Sequence, residues 1–316
     1  MARMNVLVTG ATGFIGSHLC RELLQRGHRV FGLSRSGRAE NLGTVLDHEG
    51  FHLLRGGLQD MDVVRNIIKD DAIKTCFHLA ARLPQPDSSD PALSFDINAR
   101  GTLSLLQAAY HGGVDRFIYS SSIDVYSEPP AYLPVDEEHP LQPSTVYGVG
   151  KLAGELCCRL YHGAMNVAVL RYSIVYGRGQ ESGRAISRFI EQALKDRPIT
   201  VYGDGTQTND FVCVGDVVQA NLLALERGRP GTYNIGSGEE ISVMGLAKLV
   251  ARLTGSRWKP VLTGQETNRP FRFALDITRA REALGYSPRS LEKGLLERIG
   301  ELLGEHRSHR LSCSSS

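Results

Sequence analysis

The chain has 316 residues, 41% apolar and 22% charged, enough for one large α/β domain or two lobes around a substantial core. A net charge of +2 gives no electrostatic case for nucleic acid or an acidic partner. No apolar run approaches the ~18 residues of a membrane helix.

The opening MARMNVLVTG enters a strand at once and lacks the apolar core and cleavage site of a secretory signal. NVLVTG reads as a buried strand, followed by a helix from Ile15 to Gln25 closed by Gly27. HRVFGLS is the second strand. FHLLRG, TCFHLAA, RFIYSSS and NVAVLRYS are further short strands. Between them LQDMDVVRNIIKD, DINARGTLSLLQAAYHGG and YGVGKLAGELCCRLYHG carry helical apolar spacing. This alternation predicts an α/β fold, a Rossmann-type doubly wound parallel sheet over residues 1–170. After 171 glycines and prolines become frequent and strands such as PITVYGDG are short. We therefore expect a smaller C-terminal substrate-binding lobe over 171–304, interleaved with the first unit, with segments near 210–240 returning to it. A last helical run goes from Ser290 to about Leu303, and EHRSHRLSCSSS (305–316) reads as a disordered tail. The six cysteines, Cys20, Cys76, Cys157, Cys158, Cys213 and Cys313, show no CxxC and no metal-ligand spacing. The expectation is reduced thiols, no metal and a cytoplasmic location.

GATGFIG places Gly10, Gly13 and Gly16 three apart, directly after a strand and at a helix start. A tight turn, close approach of a pyrophosphate and close helix–strand packing each require a residue without a side chain. The helix N-terminus then offers unpaired N–H groups and the positive end of its dipole. The pattern predicts dinucleotide binding. An acid ending the second strand would favour NAD by accepting from the ribose 2′-OH. Here the strand ends in Ser34, followed by Arg35 and Arg38, two guanidiniums able to hold a 2′-phosphate. NADP is favoured over NAD, which stays open, and the alternative reading of this stretch is a solvated basic loop.

YGVGK places Tyr147 one helical turn before Lys151 on the same face. A phenol beside an ammonium is an acid–base device, or else a surface helix pair. Two glycines are poor helix residues, so Gly148 and Gly150 are expected to relieve crowding by cofactor and substrate.

GATGFIG, YGVGK and SSS at Ser120–Ser122 together resemble the extended short-chain dehydrogenase/reductases, the NAD-dependent epimerase/dehydratase branch that acts on sugar nucleotides. FHLAA, NARGT, LRYSIVYG, VYGDGTQTNDFV and YNIGSG extend the likeness over roughly residues 4 to 290. The resemblance implies that Tyr147 is the acid–base residue, that Lys151 holds the cofactor ribose and favours the phenolate, and that Ser122 bonds the reacting oxygen. Asn98 matches the family's Asn. Cofactor contacts would extend to Thr12, Phe14 and Ile15, to Leu58, to Leu79, Ala80 and Ala81, and to Tyr172. Substrate contacts would include Ser122, Asp124, Ile174, Asn209 and Arg269. A homodimer through the helices around 96–110 and 147–162 is implied too.

The chain departs from the family's pattern in four places. Gly57 stands where an adenine-contacting Asp is usual, and Ile174 where a phosphate-binding Asn is. Asn209 replaces a phosphate-binding Arg, and LTGQETNRP lacks the Arg-Pro-Gly pattern, although Arg269 and Arg272 lie within and just beyond it. Ile123 and Asp124 occupy the positions of the dehydratases' Asp-Glu pair, which leaves one carboxylate where water loss needs two groups; Asp124 is otherwise a turn residue at the strand end. The expected activity is an NAD(P)-dependent epimerase or 4-keto reductase of a nucleotide sugar. The alternatives are a reductase of a non-nucleotide carbonyl compound, a dehydratase, or a non-catalytic dinucleotide-binding protein.

Overall fold

A computed structural model describes residues 3–35, 39–83, 90–180, 183–264 and 272–313, with side chains to 304. In chain order the first elements are β1 (Asn5–Thr9), α1 (Phe14–Gln25), β2 (Arg29–Ser34), β3 (Phe51–Arg55), α2 (Met61–Asp70) and β4 (Thr75–His78). There follow α3 (Pro91–Phe95), a π-helical turn over Asp96–Arg100, α4 (Gly101–His111), β5 (Arg116–Ser122), α5 (Val146–Leu160) and β6 (Asn166–Tyr172). Then come β7 (Ile174–Tyr176), α6 (Ala185–Leu194), β8 (Thr200–Val201), β9 (Thr208–Asn209), β10 (Phe211–Cys213), α7 (Val214–Arg227) and β11 (Gly231–Ile235). The last are β12 (Ile241–Ser242), α8 (Val243–Thr254), β13 (Val261–Leu262), α9 (Thr278–Leu284) and α10 (Leu291–Cys313).

Seven strands form one parallel sheet in the order β11-β6-β5-β4-β1-β2-β3. The apolar runs of the five inner strands are buried on both faces, as parallel strands between helices require, while the edge strand β3 is mostly half-buried. On one face Leu19, Leu23 and Leu24 of α1 pack with Val217 and Val218 of α7. On the other, Val64 and Ile68 of α2 join Leu105 and Leu106 of α4 and Cys158 of α5. A third apolar cluster gathers α6, β8, α8 and α10 through Phe189, Val201, Leu246 and Leu295.

Successive strands run outward from β1 to β3 on one side and from β4 to β6 on the other. The direction therefore switches between β1 and β4. Loops at the C-terminal ends of those two strands diverge, and a crevice opens where ligands of such sheets bind.

The structure differs from expectation at two points. The last helix continues to Cys313, past the start of the tail read as disordered from 305. The glycines of α5 serve the chain's own packing rather than ligand crowding. A side chain at Gly148 would collide with the Asp124 carbonyl oxygen, and one at Gly154 with the Tyr119 hydroxyl. At Gly150 a Cβ would sit 2.9 Å from Asn98 Cβ. The helix lies hard against β5 and the π-helical turn, and only glycine permits it.

Candidate active site

After β1 the chain turns at Gly10, whose φ of +72° is costly for other residues. A Cβ at Gly10 would lie 2.9 Å from the Ala80 amide nitrogen, and one at Gly16 would collide with the Gly10 carbonyl. No side chain caps the start of α1, so its first N–H groups are available to an anion. A cavity of ≈ 390 Å³ opens here. One wall is the turn and helix start, Gly10, Thr12, Gly13, Phe14, Ile15 and Gly16. The facing wall is the end of β4, Leu79, Ala80 and Ala81. These walls fit a dinucleotide pyrophosphate.

Beyond β2 the cavity is bounded by Ser34, Arg35, Gly57 and Leu58. Ser34 Oγ and Thr12 Oγ1 are 2.6 Å apart, so the serine ties the β2 end to the glycine turn. A side chain at Gly57 would meet the Arg35 stem at 3.3 Å; the missing side chain leaves that arginine its place. Arg38 lies outside the described residues.

The opposite end, at β5 and β6, holds Tyr147, Lys151 and Tyr172. Thr145 caps α5, accepting from the Gly148 amide at 3.0 Å, and sets Tyr147 in the first turn. Lys151 is buried and its Nζ donates to the Ser120 carbonyl at 2.7 Å. The ammonium stands 5.8 Å from the Tyr147 ring centroid and 5.0 Å from that of Tyr119. Burial pulls the lysine down to about 8, against the opposing pull of Glu155. Burial also pushes the Tyr147 phenol up. The Asp124 carboxylate adds to that rise, and a hydrogen bond with Ser122 works against it.

Ser122 and Asp124 flank this end without lining the cavity. Ser122 Oγ donates to Asp124 Oδ2 at 2.7 Å and accepts from the Asp124 amide at 3.2 Å. Asn98, in the π-helical turn, also lies behind the wall. Its side chain clamps the backbone of Arg82, accepting from the amide at 2.8 Å and donating to the carbonyl at 3.0 Å. Ile174 sits on β7 among apolar neighbours. Asn209 pairs with Ile241 between β9 and β12. Neither lines this cavity. Arg269 lies outside the described residues. Arg272 is held by Glu240 through bonds of 2.6 and 2.7 Å.

Lining residues that went unnoticed in the sequence include Gln59, Arg82 and Ile97. Arg82 directly follows the FHLAA stretch, and that adjacency was its one available signal.

Two buried networks support the site. Ala80 N donates to Thr9 Oγ1, which lies 2.8 Å from His78 Nδ1. His78 Nε2 is 2.9 Å from Thr102 Oγ1, which donates to the Asn98 carbonyl at 2.7 Å. Because Thr102 gives its proton to Asn98, His78 must donate through Nε2 and accept through Nδ1. Burial, followed by the Lys151 charge, pulls His78 down to about 3 and keeps it neutral. The second network joins Ser121, Glu155, Arg171, Tyr126 and Asn234.

The sequence profile of the NAD dependent epimerase/dehydratase family matches residues 6–236. The UDP-glucose 4-epimerase of Mycolicibacterium smegmatis is 36% identical over 307 residues, covering 94% of this chain and 97% of that protein. Among solved structures, the UDP-glucose 4-epimerase of Thermotoga maritima with UDP-glucose superposes with a TM-score of 0.87 at 33% identity. It covers 96% of this chain and 99% of its own. The UDP-glucuronic acid 4-epimerase of Bacillus cereus, in complex with UDP-glucuronic acid and NAD, gives 0.83 at 32% identity, covering 95% of this chain and 100% of its own.

Proposed function

Since the chain belongs to the NAD dependent epimerase/dehydratase family, we propose that it is a 4-epimerase of a nucleotide sugar, with 4-keto reduction as the second reading. The observation that carries this is Tyr147 and Lys151 at one end of the cavity whose wall includes the glycine turn, with Ser122 hydrogen-bonded to Tyr147 beside it. When bound, the dinucleotide supplies a hydride acceptor and donor. Tyr147 takes the proton of the sugar hydroxyl as the carbon is oxidised and returns it when the carbon is reduced. Lys151 favours the phenolate by its charge, and Ser122 holds the reacting oxygen. One residue stores the proton between the two halves, so epimerisation requires no second acid. Dehydration would require one. Ile123 cannot supply it, and no carboxylate is among the described residues lining the cavity.

Residues 171–304 would hold the nucleotide, with Ile174, Asn209 and Arg269 as the candidate contacts. Incubation with UDP-glucose and UDP-glucuronic acid, without added cofactor, tests the reading by NMR of the products. Appearance of the 4-epimer supports epimerisation. Consumption of added NAD(P)H on a 4-keto sugar, with no epimer formed, would support the reductase. No turnover in either assay would sink both.

For the cofactor, we propose that NADP(H) binds at least as well as NAD(H), because Ser34 removes the repelling acid and Arg35 lines that end. Fluorescence titration decides it, and a tenfold preference for NAD(H) would overturn the idea. We propose also that the chain works in the cytoplasm as a homodimer. Leu160 of α5 is 79% exposed, and Leu156 and Tyr110 are about half exposed, an apolar face suited to a second copy. A monomer at micromolar concentration in sedimentation would refute the dimer. No helix among the described residues is long and apolar enough to cross a membrane.

A further inference from the structure

The described residues lining the cavity include three cationic side chains, Arg35, Arg82 and Lys151, and no carboxylate. Two of the three have evident work. Lys151 Nζ is bonded to the Ser120 carbonyl, and Arg35 stands at the far end against Gly57. Arg82 has none. Its Nε is buried without a hydrogen-bond partner, and no described carboxylate pairs with its guanidinium. Arg171, by contrast, is paired with Glu155, and Arg289 with Asp216; Arg188 shares an unbonded buried Nε, but it is not among the residues lining the cavity and its guanidinium stacks over the Tyr202 ring. A buried N–H left unbonded costs roughly 1–3 kcal/mol, a cost removed when a ligand supplies the acceptor.

The backbone of Arg82 is fixed. Asn98 clamps both its amide and its carbonyl, and Asn98 packs against Gly150, the neighbour of Lys151. This anchors Arg82 beside the helix that carries Tyr147 and Lys151.

We propose that Arg82 is a substrate-recognition residue whose guanidinium fork receives two anionic oxygens of the nucleotide sugar, those of a sugar carboxylate or of the diphosphate. The inference rests on the nucleotide-sugar reading. A planar fork matches either group through two parallel charge-assisted bonds, and with no carboxylate among the described lining residues both bonds are left to the ligand.

Calorimetric titration of the NAD(H)-saturated protein with UDP-glucuronic acid, UDP-glucose and UDP tests it. If the partner is a carboxylate, Arg82→Gln weakens UDP-glucuronic acid about tenfold or more and leaves the other two within about twofold. If it is the diphosphate, all three weaken together. In both cases Arg82→Lys, which keeps the charge but not the fork, recovers part of the loss. Weaker NAD(H) binding with nucleotide sugars unaffected would assign the arginine to the cofactor and overturn the proposal. Unchanged binding of every ligand in Arg82→Gln would overturn it and leave the substrate reading intact. If the wild-type protein binds none of the three nucleotides, the substrate reading falls and this inference with it.

Discussion

Glu155 Oε2 lies 2.7 Å from Arg171 Nη2, with both side chains about 5% exposed, one helical turn beyond Lys151. The carboxylate also accepts from Ser121 Oγ at 2.5 Å, and the guanidinium donates to Tyr126 and the Glu137 carbonyl. Removing one partner strands a buried charge. We expect Glu155→Ala to cost roughly 3–5 kcal/mol. Replacing both with methionine should cost less than the sum of the single changes, since no charge is left behind. Urea midpoints of the two singles and the double measure this. Additive losses would mean the pair is not coupled.

Tyr147→Phe should keep cofactor affinity and lower kcat by roughly 10²–10⁴-fold, the range for a positioned acid–base group. Ser122→Ala removes a hydrogen bond rather than the proton carrier and should cost less. Lys151→Met should weaken the cofactor and move the pH optimum of turnover upward, because the phenolate loses the nearby positive charge. The pH profile of turnover reports all three. Near wild-type turnover in Tyr147→Phe would remove the phenol from the mechanism.

Gly148→Ala should destabilise the protein by about 1–3 kcal/mol, the usual cost of overpacking. A better helix former is introduced, yet its Cβ meets the Asp124 carbonyl oxygen, a backbone atom. The same change at Gly163, where a Cβ meets nothing within 4 Å, is the control. Thermal melts of the two variants compare them, and equal melting temperatures would contradict the packing argument.

His78 contributes a pH dependence whose sign follows from its burial. Its folded value near 3 lies below the ordinary 6.5, so between those values the unfolded chain binds the extra proton. Stability is full above about 6.5 and falls with acid by at most about 1.4 kcal/mol per pH unit from this group. His78→Gln should be less stable at pH 7 and lose stability less steeply between pH 6 and 4. Chemical denaturation of both proteins across that range checks it; parallel curves would show that the imidazole protonates in the fold.

The strands and the glycine turn were legible in sequence because parallel strands buried on both faces appear as unbroken apolar runs, and a turn with positive φ leaves glycines at fixed spacing. YGVGK was legible as a tyrosine and a lysine one helical turn apart, but the reason for its glycines was not. The Asp124 carbonyl and Asn98 approach them from 24 and 52 residues away, counted along the sequence. Ser121 looked like the neighbour of a reacting serine; only the fold shows it turned back onto Glu155. Arg82 carries no periodicity and no motif, and its isolation from every described carboxylate exists only in three dimensions.

The bond from Tyr126 to Asn234 spans 108 residues of sequence, and its consequence is one of timing. Ser122, Tyr147 and Lys151 leave the ribosome long before β11, the strand that covers the β6 edge and carries Asn234. Until then Tyr126 lacks its acceptor, the Arg171 cluster is incomplete, and β6 presents an open edge to any passing strand. Closing so long a loop is slow. The nascent chain thus holds Ser122, Tyr147 and Lys151 well before it holds the frame that aligns them.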